Sequence, residues 1–235
     1  MASTAAIIGS TGLVGHQILA TLLNLEPCTA VHTISRRAPK TGPSPKLNAT
    51  VEADTTKWAA QLAAISPLPS TVYSSLGTTR AQAGGIQNQW KIDHDVNVEL
   101  AKAAKAAGVK NFIFVSSAGT RGLLSNHVPY SRMKVGVEDA IKNADFDQAI
   151  ILRPGLLMGQ REVPHAGGPF LETFFRGLGK VLGQGATDAF AQDDVVVARA
   201  AVKASMLAAD GKAPGKYWVL EQKDIVRLGR DEWSS

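Results

Sequence analysis

The chain has 235 residues, 45% hydrophobic and 19% charged, with a formal net charge of +5. That length supports one sizeable core, no apolar run approaches the roughly 18–20 residues that span a bilayer, and the one cysteine, Cys28, excludes an intrachain disulfide and lacks zinc-ligand spacing. Basic residues are scattered and do not alternate with aromatics, which argues against nucleic acid as a partner and suits a phosphorylated ligand or an anionic membrane surface.

Apolar runs alternate with helical patterns along the chain. The opening MASTAAIIGS enters its first strand, TAAIIG (4–9), within four residues, and is read as leaving no room for a cleavable presequence. With the lone cysteine, that fits a reducing compartment. LVGHQILATLL (13–23) follows as a helix with Leu13, Ile18, Leu19, Leu22 and Leu23 inward. VHTIS (31–35) is a second strand, APKTGPSPKLN (38–48) an exposed loop, and ATVEA (49–53) a third strand. TKWAAQLAAI (56–65) reads as a helix ended by Pro67, and TVYSSLG (71–77) as the fourth strand. VELAKAAKAAG (98–108) is a helix whose last residue suits a C-cap. NFIFVSS (111–117), PYSRMKVGVEDAIKN (129–143) and QAIILRP (148–154) continue as strand, helix and strand.

This alternation predicts an α/β fold, a Rossmann-type doubly wound parallel sheet with helices on both faces. Beyond Arg153 the pattern loosens into Gly- and Pro-rich loops, helices over 170–182 and 193–209, and a strand at YWVL (217–220). We read 1–235 as a single domain in which 153–235 supplies a small substrate-side cap.

The first strand runs directly into GSTGLVG (9–15). In this G-x-x-G-x-x-G, Gly9 serves the tight turn, Gly12 the approach of a pyrophosphate and Gly15 close packing of helix on sheet. The helix start, through the backbone of Thr11, Leu13 and Val14, offers free N–H groups and a partial positive charge to phosphates. Three glycines alone are a weak signal; their place between strand and helix points to a dinucleotide. The second strand ends at Ser35, Arg36 and Arg37, with no acid between Glu26 and Glu52 to hold a ribose 2′-hydroxyl. A guanidinium pair suits a 2′-phosphate, so NADP(H) is the expected cofactor. A solvated surface pair is the other reading.

The third motif is SSAGTRGLLSNHVPYSRMK (116–134). Tyr130 and Lys134 lie four apart and share a helical face. An ammonium stabilises a phenolate, so the phenol can exchange a proton with a carbonyl or alcohol oxygen. Ser117, at the end of a strand, can hydrogen-bond the same oxygen. Tyr-x-x-x-Lys alone recurs by chance, and the ordered combination after the glycine turn carries the weight.

Together these motifs resemble the short-chain dehydrogenases/reductases. RPGLLMG (153–159) resembles the segment after the sixth strand in the atypical and extended branches, where backbone at Pro154 and Gly155 would line the nicotinamide. TTRAQAGGIQNQWKIDHDVNVELAKAAKAAGV (78–109), followed by FVSSAG, resembles a group of NADPH-binding atypical reductases. Its fungal members are peripheral proteins of the mitochondrial outer membrane, which implies location on its cytosolic face. The resemblance implies hydride transfer to a small carbonyl substrate, with Tyr130 as general acid, Lys134 holding the ribose and Ser117 orienting the carbonyl. It also implies that Leu76, Gly77 and Thr78 pass the cofactor, and that Asn97 supports the lysine through water. The second functional reading is a non-enzymatic NADP(H)-responsive binding protein at the same membrane.

Asp93, His94 and Asp95 stand consecutively, and side chains separated by about 100° on an α-helix diverge, so a metal site is not expected. They are read as acids complementing a helix start and as capping or packing groups.

Overall fold

The computed structural model describes residues 3–122, 125–158 and 191–234. Seven parallel strands form the main sheet: β1 (Ser3–Ile8), β2 (Cys28–Ser35), β3 (Leu47–Val51), β4 (Thr71–Ser74), β5 (Asn111–Val115), β6 (Gln148–Leu152) and β9 (Tyr217–Leu220). Their spatial order is β3-β2-β1-β4-β5-β6-β9. Two further strands, β7 (Leu156–Met158) and β8 (Ala191–Asp193), form a separate parallel pair. The helices are α1 (Leu13–Asn24), α2 (Trp58–Ala63), α3 (Arg80–Ala83), α4 (Ile86–Trp90), α5 (Asn97–Ala107), α6 (Pro129–Asn143), α7 (Asp194–Ala209) and α8 (Gln222–Val226).

The central strands are buried on both faces, whereas β3 at the sheet edge is largely exposed, and the period-2 alternation divides the buried side chains between two cores. Ala5, Ile7, Tyr73, Ile113 and Ile150 meet α1 and α7 on one side. Ala6, Ile8, Val72, Phe112, Phe114 and Ile151 meet α2, α5 and α6 on the other. Helices on both faces of a parallel sheet are the doubly wound arrangement expected from the sequence. The strand order reverses between β1 and β4, where such sheets open a crevice at their carboxyl ends. The expected site residues follow the ends of β1, β2, β4, β5 and β6.

Several boundaries move. β3 ends at Val51, although the Glu52 N–H still donates to the Ser35 carbonyl at 2.9 Å. β4 stops at Ser74, which frees residues 75–79 to cross the sheet end. The stretch before α5 is not a plain helix start: α3 and α4 are separated by Gly84 at φ +72°, and a π-helical turn, Lys91–Val96, joins α4 to α5. α5 closes on Gly108 in the left-handed conformation, φ +95°, as its C-cap role requires. The C-terminal part does more than cap: α7 packs on α1, and β9 extends the main sheet beside β6. The helix expected over 170–182 lies outside the described residues.

Candidate dinucleotide and catalytic site

The glycine turn is built as its spacing requires. Gly9 sits at φ +85°, and a Cβ there would come within 2.9 Å of the Leu76 nitrogen. A Cβ on Gly15 would overlap the Gly9 carbonyl oxygen and the Ser75 hydroxyl, so only glycine lets α1 start this close to β1 and β4. Gly12, exposed, is the N-cap of α1, and no side chain caps the helix. Val14 is buried in the core and offers only its backbone outward, whereas Thr11 and Leu13 are half-buried at the turn. Within the turn, Ser10 is fully buried and its hydroxyl has no hydrogen-bond partner among the described residues. An uncapped helix start, a glycine cradle and an orphaned hydroxyl together fit a pyrophosphate.

At the end of β2, Ser35 is buried and its hydroxyl donates to the Arg37 carbonyl at 2.7 Å. That bond folds the turn that leaves Arg36 and Arg37 exposed beside the glycine loop. Ser35 therefore shapes the arginine turn, with its hydroxyl already engaged.

After β4, Leu76 is buried and Gly77 exposed, and the Thr78 N–H donates to Asp93 Oδ1 at 2.7 Å. Asp93 is 1% exposed; Gln89 Nε2 reaches its Oδ2 at 3.3 Å. Burial pushes its carboxyl above the usual carboxylate range, opposed by the Lys134 ammonium and by the Thr78 and Gln89 hydrogen bonds. Asn97 is fully buried with its amide saturated: Oδ1 accepts from Ser74 Oγ at 2.6 Å, and Nδ2 faces the carbonyls of Leu76, Ile92 and Asp93. These contacts tie the π-helical turn to the exit of β4, and Lys134 is not among them. His94 and Asp95 do not diverge as expected, since His94 Nδ1 meets Asp95 Oδ1 at 2.8 Å. A π-helical turn closes over more residues than an α-turn, so consecutive side chains are separated by a smaller angle. Of the three, Asp93 is the one that is fully buried. Among the described residues, no three His, Cys, Asp or Glu side chains gather where they could hold a metal ion.

α6 begins with Pro129 at its first position and carries Tyr130, 38% exposed, in its first turn. One turn on, Lys134 is buried, with Nζ 3.2 Å from the Val115 carbonyl and 4.8 Å from the Phe114 ring centre. Ser117 follows β5, and the Ala118 N–H donates to the Pro154 carbonyl at 2.7 Å, joining the ends of β5 and β6. A cavity of about 390 Å³ opens there, lined by Ser116, Ser117, Tyr130, Pro154, Gly155 and Leu156 among others. Four of the residues expected at the reacting centre thus meet in one cavity, and Lys134 lies under the helix turn that carries Tyr130.

Three supporting groups were not read from the sequence as site residues. Asp93 looked like one acid among three. Gln192 in β8 accepts from the Gly155 N–H at 2.6 Å and pins the cavity wall. Glu138, fully buried in α6, accepts from Ser116 Oγ at 2.6 Å, Arg121 Nε at 3.0 Å, and Arg153 Nε and Nη2 at 3.1 and 2.7 Å. Glu138 falls four residues after Lys134 on the helix pattern, a face that marks it as inward. Nothing local marks Gln192.

The model of the NAD dependent epimerase/dehydratase family matches residues 5–185. The mitochondrial protein FMP52 of Chaetomium globosum is 64% identical over 228 residues, covering 97% of each chain. The chain belongs to this family, and within it to the FMP52 proteins. Another member, mitochondrial fmp-52 of Neurospora crassa, is 61% identical over 235 residues, covering 98% of this chain and 97% of its own. Among solved structures, MoeE5 in complex with UDP-glucose and NAD superposes with a TM-score of 0.67 at 18% identity, over 97% of this chain and 81% of its own. A UDP-N-acetylglucosamine 4-epimerase from Methanobrevibacter ruminantium gives 0.68 at 16%, over 94% and 76%. At such identities the likeness is one of fold, and it places this family member among Rossmann-type chains.

Proposed function

We propose that the protein is an NADPH-dependent oxidoreductase that reduces a small carbonyl compound. The observation that carries the reading is the cavity shared by Ser117, Tyr130, Pro154 and Gly155, opening at the same sheet end as the glycine turn. The family's name and the NAD found in MoeE5 support a nicotinamide dinucleotide.

Gly9, Gly12 and the start of α1 would hold the pyrophosphate, with Ser10 Oγ as an added donor. Lys134 would hold the nicotinamide ribose, and the Pro154–Gly155 backbone would face the ring. The reduced cofactor, when bound, supplies the hydride. Tyr130 donates its phenolic proton to the carbonyl oxygen, and Ser117 donates a hydrogen bond that orients the same oxygen. Lys134, held beneath the first turn of α6, favours the phenolate left behind.

Arg36 and Arg37 support NADPH over NADH, because exposed guanidinium groups at the end of β2 can grip a 2′-phosphate. The Arg36→Ala/Arg37→Ala double variant is expected to lose about tenfold or more in NADPH affinity and to bind NADH unchanged. Equal loss for both cofactors, measured by fluorescence titration, would refute the phosphate role.

The test of function is NADPH oxidation by purified protein across quinones, aldehydes and ketones, with Tyr130→Phe alongside. Turnover that collapses in the variant supports the reductase. Tight NADPH binding with no turnover of any carbonyl points to the cofactor-responsive binding protein.

The relatives' names support a mitochondrial location. The basic charge suits the anionic cytosolic face of the outer membrane, and among the described residues no helix is long and apolar enough to cross a membrane. Alkaline carbonate treatment of mitochondria should release the protein, and retention in the pellet would refute peripheral attachment.

A further inference from the structure

We propose that Asp93 is the anionic partner of Lys134, a positioning residue that couples the lysine to the cofactor-facing segment Leu76–Thr78. The inference rests on the dinucleotide-binding reading of that segment and goes beyond it.

The geometry brings the two groups to one place from different elements. Asp93 stands in the π-helical turn Lys91–Val96, and Lys134 in α6. A Cβ built on Gly77 would lie 3.8 Å from Asp93 Oδ1 and 3.8 Å from Lys134 Nζ, so the two charges flank that glycine. Both side chains are almost completely buried, at 1% and 4% exposure. Among the described residues the buried Lys134 ammonium has one hydrogen-bond acceptor, a backbone carbonyl, and a buried charge is stabilised by an opposite charge beside it. Asp93 is the carboxylate that supplies it.

Its own surroundings fix its direction. The Thr78 N–H holds Oδ1 at 2.7 Å, and Gln89 Nε2 faces Oδ2 at 3.3 Å while also reaching the Thr78 carbonyl at 3.3 Å. His94 and Asp95 pair with each other, and the His94 ring lies against α6 at Gly136. The Asn97 amide holds the carbonyls of Ile92 and Asp93. Single π-turns inside helices are frequent at functional sites, and here the turn buries Asp93 and Asn97 together. Asn97 secures the strand exit, and Asp93 addresses the lysine.

The consequence is a link between cofactor and catalytic machinery. Anything that seats Leu76–Thr78 also fixes Asp93 through the Thr78 amide, and thereby the charge that holds Lys134. A role confined to anchoring Thr78 would make no such link with α6.

The test is a double-mutant cycle on NADPH affinity and thermal stability, using Asp93→Asn, Lys134→Met and the pair. Asparagine keeps an acceptor for the Thr78 N–H and removes the charge. Each single change should weaken NADPH binding about tenfold, and the double variant should bind no worse than the weaker single one. Multiplied losses in the double variant, or Asp93→Asn equal to wild type, would overturn the pairing. If the unmodified protein binds no NADPH, the dinucleotide reading fails, and the same cycle read on melting temperature still decides the pairing. Should Asp93→Asn not fold, the charge pairing requires that adding Lys134→Met restores folding. A double variant that stays unfolded overturns it.

Discussion

Tyr130→Phe is expected to lower kcat by about 10²–10⁴-fold on whichever carbonyl the protein turns over, the usual contribution of a general acid in place. NADPH affinity should change little, because phenylalanine keeps the ring against the cavity and Lys134 remains buried under α6. The phenol is suited to this work by position. It is exposed in the first turn of its helix, in a cavity whose other polar lining includes Ser117. A proton donor facing substrate must be reachable, and a lysine that acts through it need not be. The observed split, Tyr130 at 38% and Lys134 at 4% exposure, follows that division. The measurement is a steady-state rate with saturating NADPH. A variant that retains more than a tenth of wild-type kcat would remove Tyr130 from the proton transfer and leave the cavity without its named acid.

Much of the architecture was legible because its signals are local or periodic. The strands were readable since buried parallel strands are continuous apolar runs, and the glycine turn since each of its glycines answers to a separate steric need. Gly9 requires a positive φ, and Gly15 requires the absence of a Cβ. Ser117 and Tyr130 were legible through their order after the glycine turn, and Pro154 and Gly155 through the resemblance carried by RPGLLMG.

The remaining site groups depend on contacts distant in sequence. Asp93 reads like its neighbours Asp95 and His94 until a π-helical turn rotates it inward, and no residue pattern announces that turn. Gln192 reaches Gly155 only because β7 and β8 pair across 32 intervening positions, all of them outside the described residues. The strand limits moved for a related reason. At the end of β4 the Ser74 hydroxyl donates to Asn97 Oδ1 at 2.6 Å, a partner distant in sequence that the apolar pattern does not announce. Local chemistry thus points to the candidate reacting residues, and the groups that support them emerge only from packing.

Glu138→Leu is expected to cost about 3–5 kcal/mol, the usual penalty when one member of a buried ion pair is removed and its partner is left behind. Arg153 would lose both of its bonds to Glu138 and, among the described residues, keep its side-chain contact with the exposed Glu221 at 2.8 Å. Ser116 would lose its acceptor at the edge of the cavity that Tyr130 lines. At this chain length each kcal/mol moves the melting temperature by about 2–4 °C, so a fall on the order of 10 °C is expected. Glu138→Gln should fall less, because an amide can still accept from Ser116 and one guanidinium. The pH dependence has a definite sign. Burial would raise the Glu138 carboxyl, but the hydrogen bonds from Arg153, Ser116 and Arg121 outweigh it and hold the carboxyl below its ordinary range. Its stabilisation is therefore complete above the unfolded carboxyl value of about 4.3 and is lost as pH falls from there towards the lower folded value. The gap in melting temperature between wild type and Glu138→Gln should be constant from pH 6 to pH 8 and shrink below about pH 4. A gap that widens in acid would mean that Glu138 is held protonated, and that Arg153 is balanced instead by Glu221. Because Ser116 and Arg153 adjoin Ser117 and Pro154 in the chain, the same loss should reach the cavity. Substrate KM would then rise in Glu138→Gln at temperatures where the fold is intact.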